Sequence, residues 1–334
     1  VDGVLTADRR AGGQTLTGGA YGEATANRGP WLLVAGAWLD GWGQFDSHRR
    51  ERGRVTGATT LDLHPASRGG ALPSARLAAR FDAGPALFAR AAAYSGFRAP
   101  TLNELYRPFR VGNDITEANA ELTPERLYGA ELGAGGSAGP AAWSATAFYN
   151  RLEDAITNVT VAFGPLFDPV AGFVPAGGVL RQRRNAGAVG AYGLEAEVST
   201  RLSGAVTARA ALSWTHARVD GGTTAPGLTG LRPAETPALG ADGSLAWRAS
   251  PRLELDADLR YESARFDDDL NLRRLAPAAT VGARARWRVT PAAAVFVAAE
   301  NLFDVAVATS QTATGVTSYG PPRTVAIGFT LSGP

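Results

Sequence analysis

The sequence contains no cysteine and no methionine, its basic residues are all arginine, and it has only three histidines. Without cysteine there is no disulfide framework and no thiolate chemistry. His48, His64 and His216 are scattered along the chain, which argues against a histidine metal cluster. No run of about 18 apolar residues is present, so no transmembrane helix is expected. The net charge of +2 is too small to give a nucleic-acid-binding field, and no nucleic-acid partner is expected. With no methionine, Val1 is not a translation start, and VDGVLTADRR lacks the apolar core of a signal peptide. The chain is therefore expected to be processed or a fragment.

The chain does contain alternation. It has 334 residues, 45% hydrophobic and 19% charged, too apolar for disorder. In Arg252 to Glu262, Leu253, Leu255, Ala257, Leu259 and Tyr261 share one parity. Arg252, Glu254, Asp256, Asp258, Arg260 and Glu262 share the other. A period of two is a strand with unlike faces. The pattern recurs in VGARARWRV, where Arg284, Arg286 and Arg288 alternate with Ala283, Ala285 and Trp287. It recurs again in YGLEAEVSTRL, where Glu195 and Glu197 alternate with Leu194, Ala196 and Val198.

Read throughout, the periodicity predicts about thirteen strands of roughly ten residues. They fall near 14–26, 31–41, 72–82, 86–95, 126–136, 141–153, 188–202, 205–218, 236–248, 252–264, 279–289, 293–300 and 322–331. Short connections such as Asn27-Arg28-Gly29-Pro30 and Ser203-Gly204 alternate with long ones at 42–71, 96–125, 154–187, 219–235, 265–278 and 301–321. In an antiparallel up-and-down sheet all the long connections then lie at one end. That asymmetry, with apolar and charged faces, fits a transmembrane β-barrel of the bacterial outer membrane. The apolar parity would meet lipid, and the charged parity a watery lumen. A soluble β-sandwich also alternates and is the competing fold. Tyr94, Trp143, Tyr149, Trp214, Trp247, Tyr261 and Trp287 stand near strand ends, as interfacial girdles do.

One long segment is more specific. YSGFRAPTLNELY is followed by Asn119-Ala120-Glu121-Leu122-Thr123-Pro124-Glu125 and by a strand carrying Glu131-Leu132-Gly133. ATAFYNRLEDAITNV, RNAGAVGAYGLEAEVS, AENLFD and YGPPRTVAIGF come after it in order. From about residue 72 to 331 the chain resembles a TonB-dependent outer-membrane receptor of the cobalamin and siderophore type. The resemblance implies a barrel of about 22 strands filled by an N-terminal plug. On that count the chain is all-β, a partial barrel of about 13 of 22 strands, the C-terminal portion of the barrel domain, with the plug and TonB box absent. It implies active uptake of a scarce ligand, a ferric siderophore or a cobalamin, energised through the plug by the TonB complex. Outer-membrane lipid and lipopolysaccharide are the implied surroundings.

Candidate contacts follow from residue chemistry. Arg98 and Pro100 are read as barrel architecture. Tyr106, Arg107, Phe109 and Arg110 lie mid-loop and combine aromatic faces with guanidinium forks, a mixture suited to an anionic or aromatic ligand. Arg181, Arg183 and Arg184 stand at a loop rim, where they would steer anions or meet lipopolysaccharide phosphate. Glu195, Glu197, Glu254, Asp256, Asp258, Arg260, Arg284, Arg286 and Arg288 are expected on the lumenal, plug-facing side. Asp267, Asp268 and Asp269, between Phe266 and Asn271, form an acidic tip able to hold Ca²⁺ or simply to be solvated. No cofactor is expected. No serine–histidine–acid set is apparent, so no enzyme is expected. A passive porin is the alternative function, and the ordered motif series argues against it.

Overall fold

The computed structural model describes residues 7–331. Thirteen strands follow one another in chain order through one antiparallel sheet, and a short fourteenth, Thr59–Leu63, pairs only with the second of them. The thirteen are β1 (Ala7–Arg28), β2 (Trp31–Gly53), β3 (Arg68–Asp82), β4 (Leu87–Arg98), β5 (Glu125–Ala138), β6 (Ala141–Glu153) and β7 (Ala188–Arg201). The remainder are β8 (Val206–Asp220), β9 (Leu239–Arg248), β10 (Leu253–Glu262), β11 (Ala278–Thr290), β12 (Ala293–Glu300) and β13 (Thr324–Leu331). Among the described residues β1 and β13 do not pair with each other, so the barrel is not closed. All short turns lie at one end and all long connections at the other, as the spacing predicts.

The register follows from the two-residue period. Across β10 and β11, Leu255 faces Ala285 and Leu259 faces Val281, while Glu254 faces Arg286 and Asp256 faces Arg284. Arg286 donates to Glu254 at 3.0 Å, and Arg288 lies 3.6 Å from the same carboxylate. Arg284 instead lays its guanidinium over Phe296, 4.4 Å from the ring centroid. A one-residue slip would put three arginines on the apolar face of β11, which fixes the register. The apolar face stays uncovered: Leu194, Leu245, Leu259, Ile327 and Phe329 are all exposed. The buried apolar clusters lie at the long-loop end, around Leu105, Tyr106 and Leu122, around Ile115, Val174 and Leu180, and around Val159, Ala186 and Val219.

Two expectations are corrected. The stretch 42–71 is not a long loop, because β2 runs to Gly53 and β3 begins at Arg68. Beyond the apolar band the β1–β2 ladder continues on charge pairs, with Arg9 donating to Glu51 at 2.7 Å. A bulge interrupts it: Gly12 pairs with His48 but Gln14 pairs with Phe45, and Asp46 adopts φ 52°. The extra residue reverses the parity of β2. Gln44, Ser47, Arg49 and Glu51 therefore share the inner face, where the long loops pack. The second correction concerns Tyr94. It belongs to the inner face, where its hydroxyl lies 3.1 Å from Glu131 and 3.0 Å from Asn150. Gly129, opposite Tyr94, leaves room for the ring; a Cβ there would collide with it.

Candidate functional site

The motif residues interlock the strand ends with the loops. Thr101 caps the short helix α1 (Leu102–Tyr106), accepting from the Glu104 amide while the Glu104 carboxylate accepts from the Thr101 amide. This is a complete capping box. Arg98 donates to Glu104 at 2.8 Å and to Glu125 at 2.6 Å. Hydrogen bonding to Glu104, then to Glu125, holds the Arg98 guanidinium above its usual range despite partial burial. Burial acts to raise Glu104, but bonds from Arg98 and Thr101 outweigh it and hold that carboxyl below its usual range. Gln44 donates to the Pro100 carbonyl at 2.6 Å in a buried setting. Asn119 donates to the Arg183 carbonyl, and Asn185 to the carbonyls of Thr123 and Asp154. Nearer the C-terminus, Asn301 both donates to and accepts from the backbone of Val305. The Asn and Glu positions of these motifs are thus ties between elements.

Above these ties, segments from two loops form a small sheet of Phe109–Val111, Asp114–Glu117, Ile156–Phe163 and Val179–Asn185. Beside it opens a basic basin of about 530 Å³, lined by Arg9, Arg49, Glu51, Asn103, Arg107 and Pro108 among others. Arg49 is held by Glu117 at 2.9 Å and Arg9 by Glu51. The bond to Glu51 raises the Arg9 guanidinium above its usual range against its partial burial. Arg183 donates to the carbonyls of Asn103 and Arg107 at 2.7 and 2.9 Å and lies over the Phe109 ring, 5.1 Å from its centroid. Burial pushes the Arg183 guanidinium below its usual range. Arg107 is exposed, and its guanidinium makes no hydrogen bond or ion pair among the described residues. The basin therefore offers two guanidinium groups without a partner among the described residues, Arg107 and Arg10, beside others already oriented. Its size and charge suit a compact anion.

Three of the residues singled out from sequence, Arg107, Phe109 and Arg183, come together here. Others do not. Tyr106 is 2% exposed, packed with Leu105 and Leu122, and presents no ring face to a ligand. Arg110 donates to the Phe173 carbonyl. Arg181 is not a free rim cation: it lies 3.3 Å from Asp114 and 3.9 Å from Asp269. Arg184 is bonded to Gln182. Asp267, Asp268 and Asp269 do not converge. Asp267 pairs with Arg273, Asp268 accepts the amides of Leu272 and Arg273, and Asp269 accepts from Thr160. Asp268 and Asp269 are buried because they satisfy loop donors, so the acidic tip is neither solvated nor a cluster. Glu195 and Glu197 sit on the inner face, opposite Thr146 and Ser144 of β6. Sequence reasoning missed Arg9, Arg49, Glu51 and Glu117. The signal available was the charged run His48-Arg49-Arg50-Glu51-Arg52, hidden by the bulge.

Comparison with known proteins agrees with this architecture. The family model described as TonB dependent receptor-like, beta-barrel, matches residues 1–302. No curated protein matches the sequence. Among solved structures, the ferric yersiniabactin uptake receptor FyuA from Yersinia pestis superposes with a TM-score of 0.75 at 16% identity, over 98% of this chain and 47% of its own. The copper transporter OprC gives 0.75 at 18% identity, over 95% and 48%. The ferric citrate transporter FecA, unliganded, gives 0.67 at 15% identity, over 97% and 46%. The chain thus spans about half the length of these structures. An antiparallel sheet with thirteen strands in chain order, interlocked at its motif positions and matched by the family model over most of its length, places this chain in the TonB-dependent receptor β-barrel family.

Proposed function

We propose that the chain forms part of the barrel wall and extracellular cap of an outer-membrane receptor that takes up a scarce anionic chelate. A ferric siderophore, or a corrinoid bearing phosphate, is the substrate class, and the TonB complex supplies the energy through a plug. The apolar face meets outer-membrane lipid, because lipid gives exposed Leu194, Leu245, Ile327 and Phe329 an apolar medium. The observation that carries the substrate class is the basin of Arg9, Arg49 and Arg107 beside Arg183. It adjoins the inner face at the long-loop end, where an incoming solute arrives first. A basin whose arginines outnumber its carboxylates concentrates anionic ligands. The uptake of ferric yersiniabactin by FyuA and of ferric citrate by FecA supports an iron chelate over a neutral solute.

The test is binding of a panel of ferric chelates differing only in net charge, followed by intrinsic tryptophan fluorescence of the protein in detergent. Saturable binding of anionic members, weakened by salt and by Arg107→Ala, is expected. Equal binding of neutral and anionic chelates, indifferent to Arg107, would sink the proposal.

A further inference from the structure

Across the middle of the sheet the register aligns outward-facing side chains into rows. Tyr149 of β6, Tyr192 of β7 and His216 of β8 stand side by side. Tyr192 and His216 stack with centroids 4.9 Å apart. Two residues nearer the long loops, the next outward row is Tyr128 of β5, Arg151 of β6, Gly190 of β7 and Arg218 of β8. The row beyond holds Arg126, Glu153, Ala188 and Asp220. An aromatic row is thus followed immediately by an arginine row.

That arrangement is directional. Arg151 and Arg218 flank Gly190, so their Cα atoms stand two strand spacings apart, about 10 Å. Gly190 puts no side chain between them, and the space above it is open. Arg126 stands diagonally from Arg151 on the neighbouring strand, and it makes no side-chain hydrogen bond or ion pair among the described residues. Arg218 is exposed and spends one donor on the Ala217 carbonyl. Arg151 shares one contact with Glu153 at 3.3 Å. The acids Glu153 and Asp220 sit one row farther from the apolar band, so the arginines are the charges nearest to it. Guanidinium forks match phosphate oxygens in geometry, and amphipathic aromatic rings sit at the level of lipid headgroups.

We propose that Arg151 and Arg218, with Arg126, form a docking site for the phosphate of an outer-leaflet lipid whose acyl chains lie along the apolar face below Tyr149 and Tyr192. The site rests on the reading that this face meets outer-membrane lipid, and it is independent of the basin proposed for the transported chelate. It faces away from that basin, on the opposite side of the sheet.

The test embeds the protein in nanodiscs of neutral phospholipid doped with a diphosphorylated glycolipid or its dephosphorylated form. Retained lipid is read by native mass spectrometry, with no chelate present. Wild type is expected to retain the phosphorylated lipid preferentially. The double variant Arg151→Gln, Arg218→Gln should lower that retention about tenfold, and Arg286→Gln on the inner face should not. Heat-modified electrophoretic mobility reports folding; if the double variant fails to fold, Arg218→Gln and Arg126→Gln are tested singly. Equal retention by variant and wild type overturns the site. Equal retention of the dephosphorylated lipid also overturns it. So does displacement by millimolar inorganic phosphate, which would make it a site for the free ion. Failure of chelate binding leaves this measurement untouched, so the two readings fail separately.

Discussion

Arg49, near the end of β2, is ion-paired at 2.9 Å with Glu117, and both side chains are about nine-tenths buried. The two residues stand 68 apart in sequence, and the pair pins the loop between β4 and β5 against the inner face of β2. Removing one partner leaves a buried charge alone, which costs roughly 3 kcal/mol. Glu117→Ala is therefore expected to loosen the loop while the sheet stays folded. Limited proteolysis should cut between residues 107 and 117 faster in the variant than in wild type. Unchanged cleavage would show that the pair holds nothing.

Arg107 is a guanidinium of the basin without a partner among the described residues, and Arg181 is already satisfied by Asp114. Arg107→Ala should weaken binding of an anionic chelate about tenfold, the loss of one charge-assisted contact. Arg181→Gln should change affinity less and loop stability more. Titration of both variants alongside wild type distinguishes these effects, and the reverse ranking would move the site to the Arg181 side.

Leu255 and Asp256 are neighbours on opposite faces of β10. Leu255→Arg puts a charge on the apolar face and should cost about 2–4 kcal/mol near the bilayer midplane. Asp256→Asn changes only the charged face and should be nearly neutral. Urea unfolding from lipid vesicles measures both, and similar losses would mean the faces are assigned wrongly.

Glu104 gives a pH dependence with a definite sign. Its folded-state carboxyl lies below the usual range. Its contribution is therefore fully present above the unfolded value, about 4.3. It is lost as pH falls through the lowered folded value. Protection of the α1 amides, taken relative to their intrinsic exchange rate at each pH, should fall below about pH 4, and Glu104→Gln should flatten that fall. A wild-type change centred near neutral pH would point to another group.

Tyr94 links β4 to β5 and β6 through Glu131 and Asn150. Tyr94→Phe should destabilise the sheet by about 1–2 kcal/mol, since a carboxylate loses its donor. Chemical unfolding monitored by circular dichroism gives the value, and no change would show that water replaces the hydroxyl.

Much of the fold was legible in the sequence because strand periodicity is local. Leu253 to Tyr261 announce one face and Glu254 to Glu262 the other, and no distant residue is needed to read that. Turn positions were legible for the same reason. Gly29, at φ 58°, stands where the two-residue turn between β1 and β2 demands it. The motif series was legible as a series, although the partners it ties together were not.

The basin was not legible, because it depends on a count across two strands. One extra residue at Asp46 reverses β2 and turns Arg49 and Glu51 inward, where simple alternation turns them outward. Tyr106 and Arg107 are adjacent in sequence, yet one is buried and the other exposed, because a short helix ends between them. Asp269 looks solvated in sequence and is buried because Thr160, 109 residues away, donates to it twice. The sequence by itself determined which residues share a face within each uninterrupted stretch of strand, since backbone pleating sets that locally. Only the tertiary structure decided which charges meet, since loop packing and a single bulge bring together residues that no local period relates.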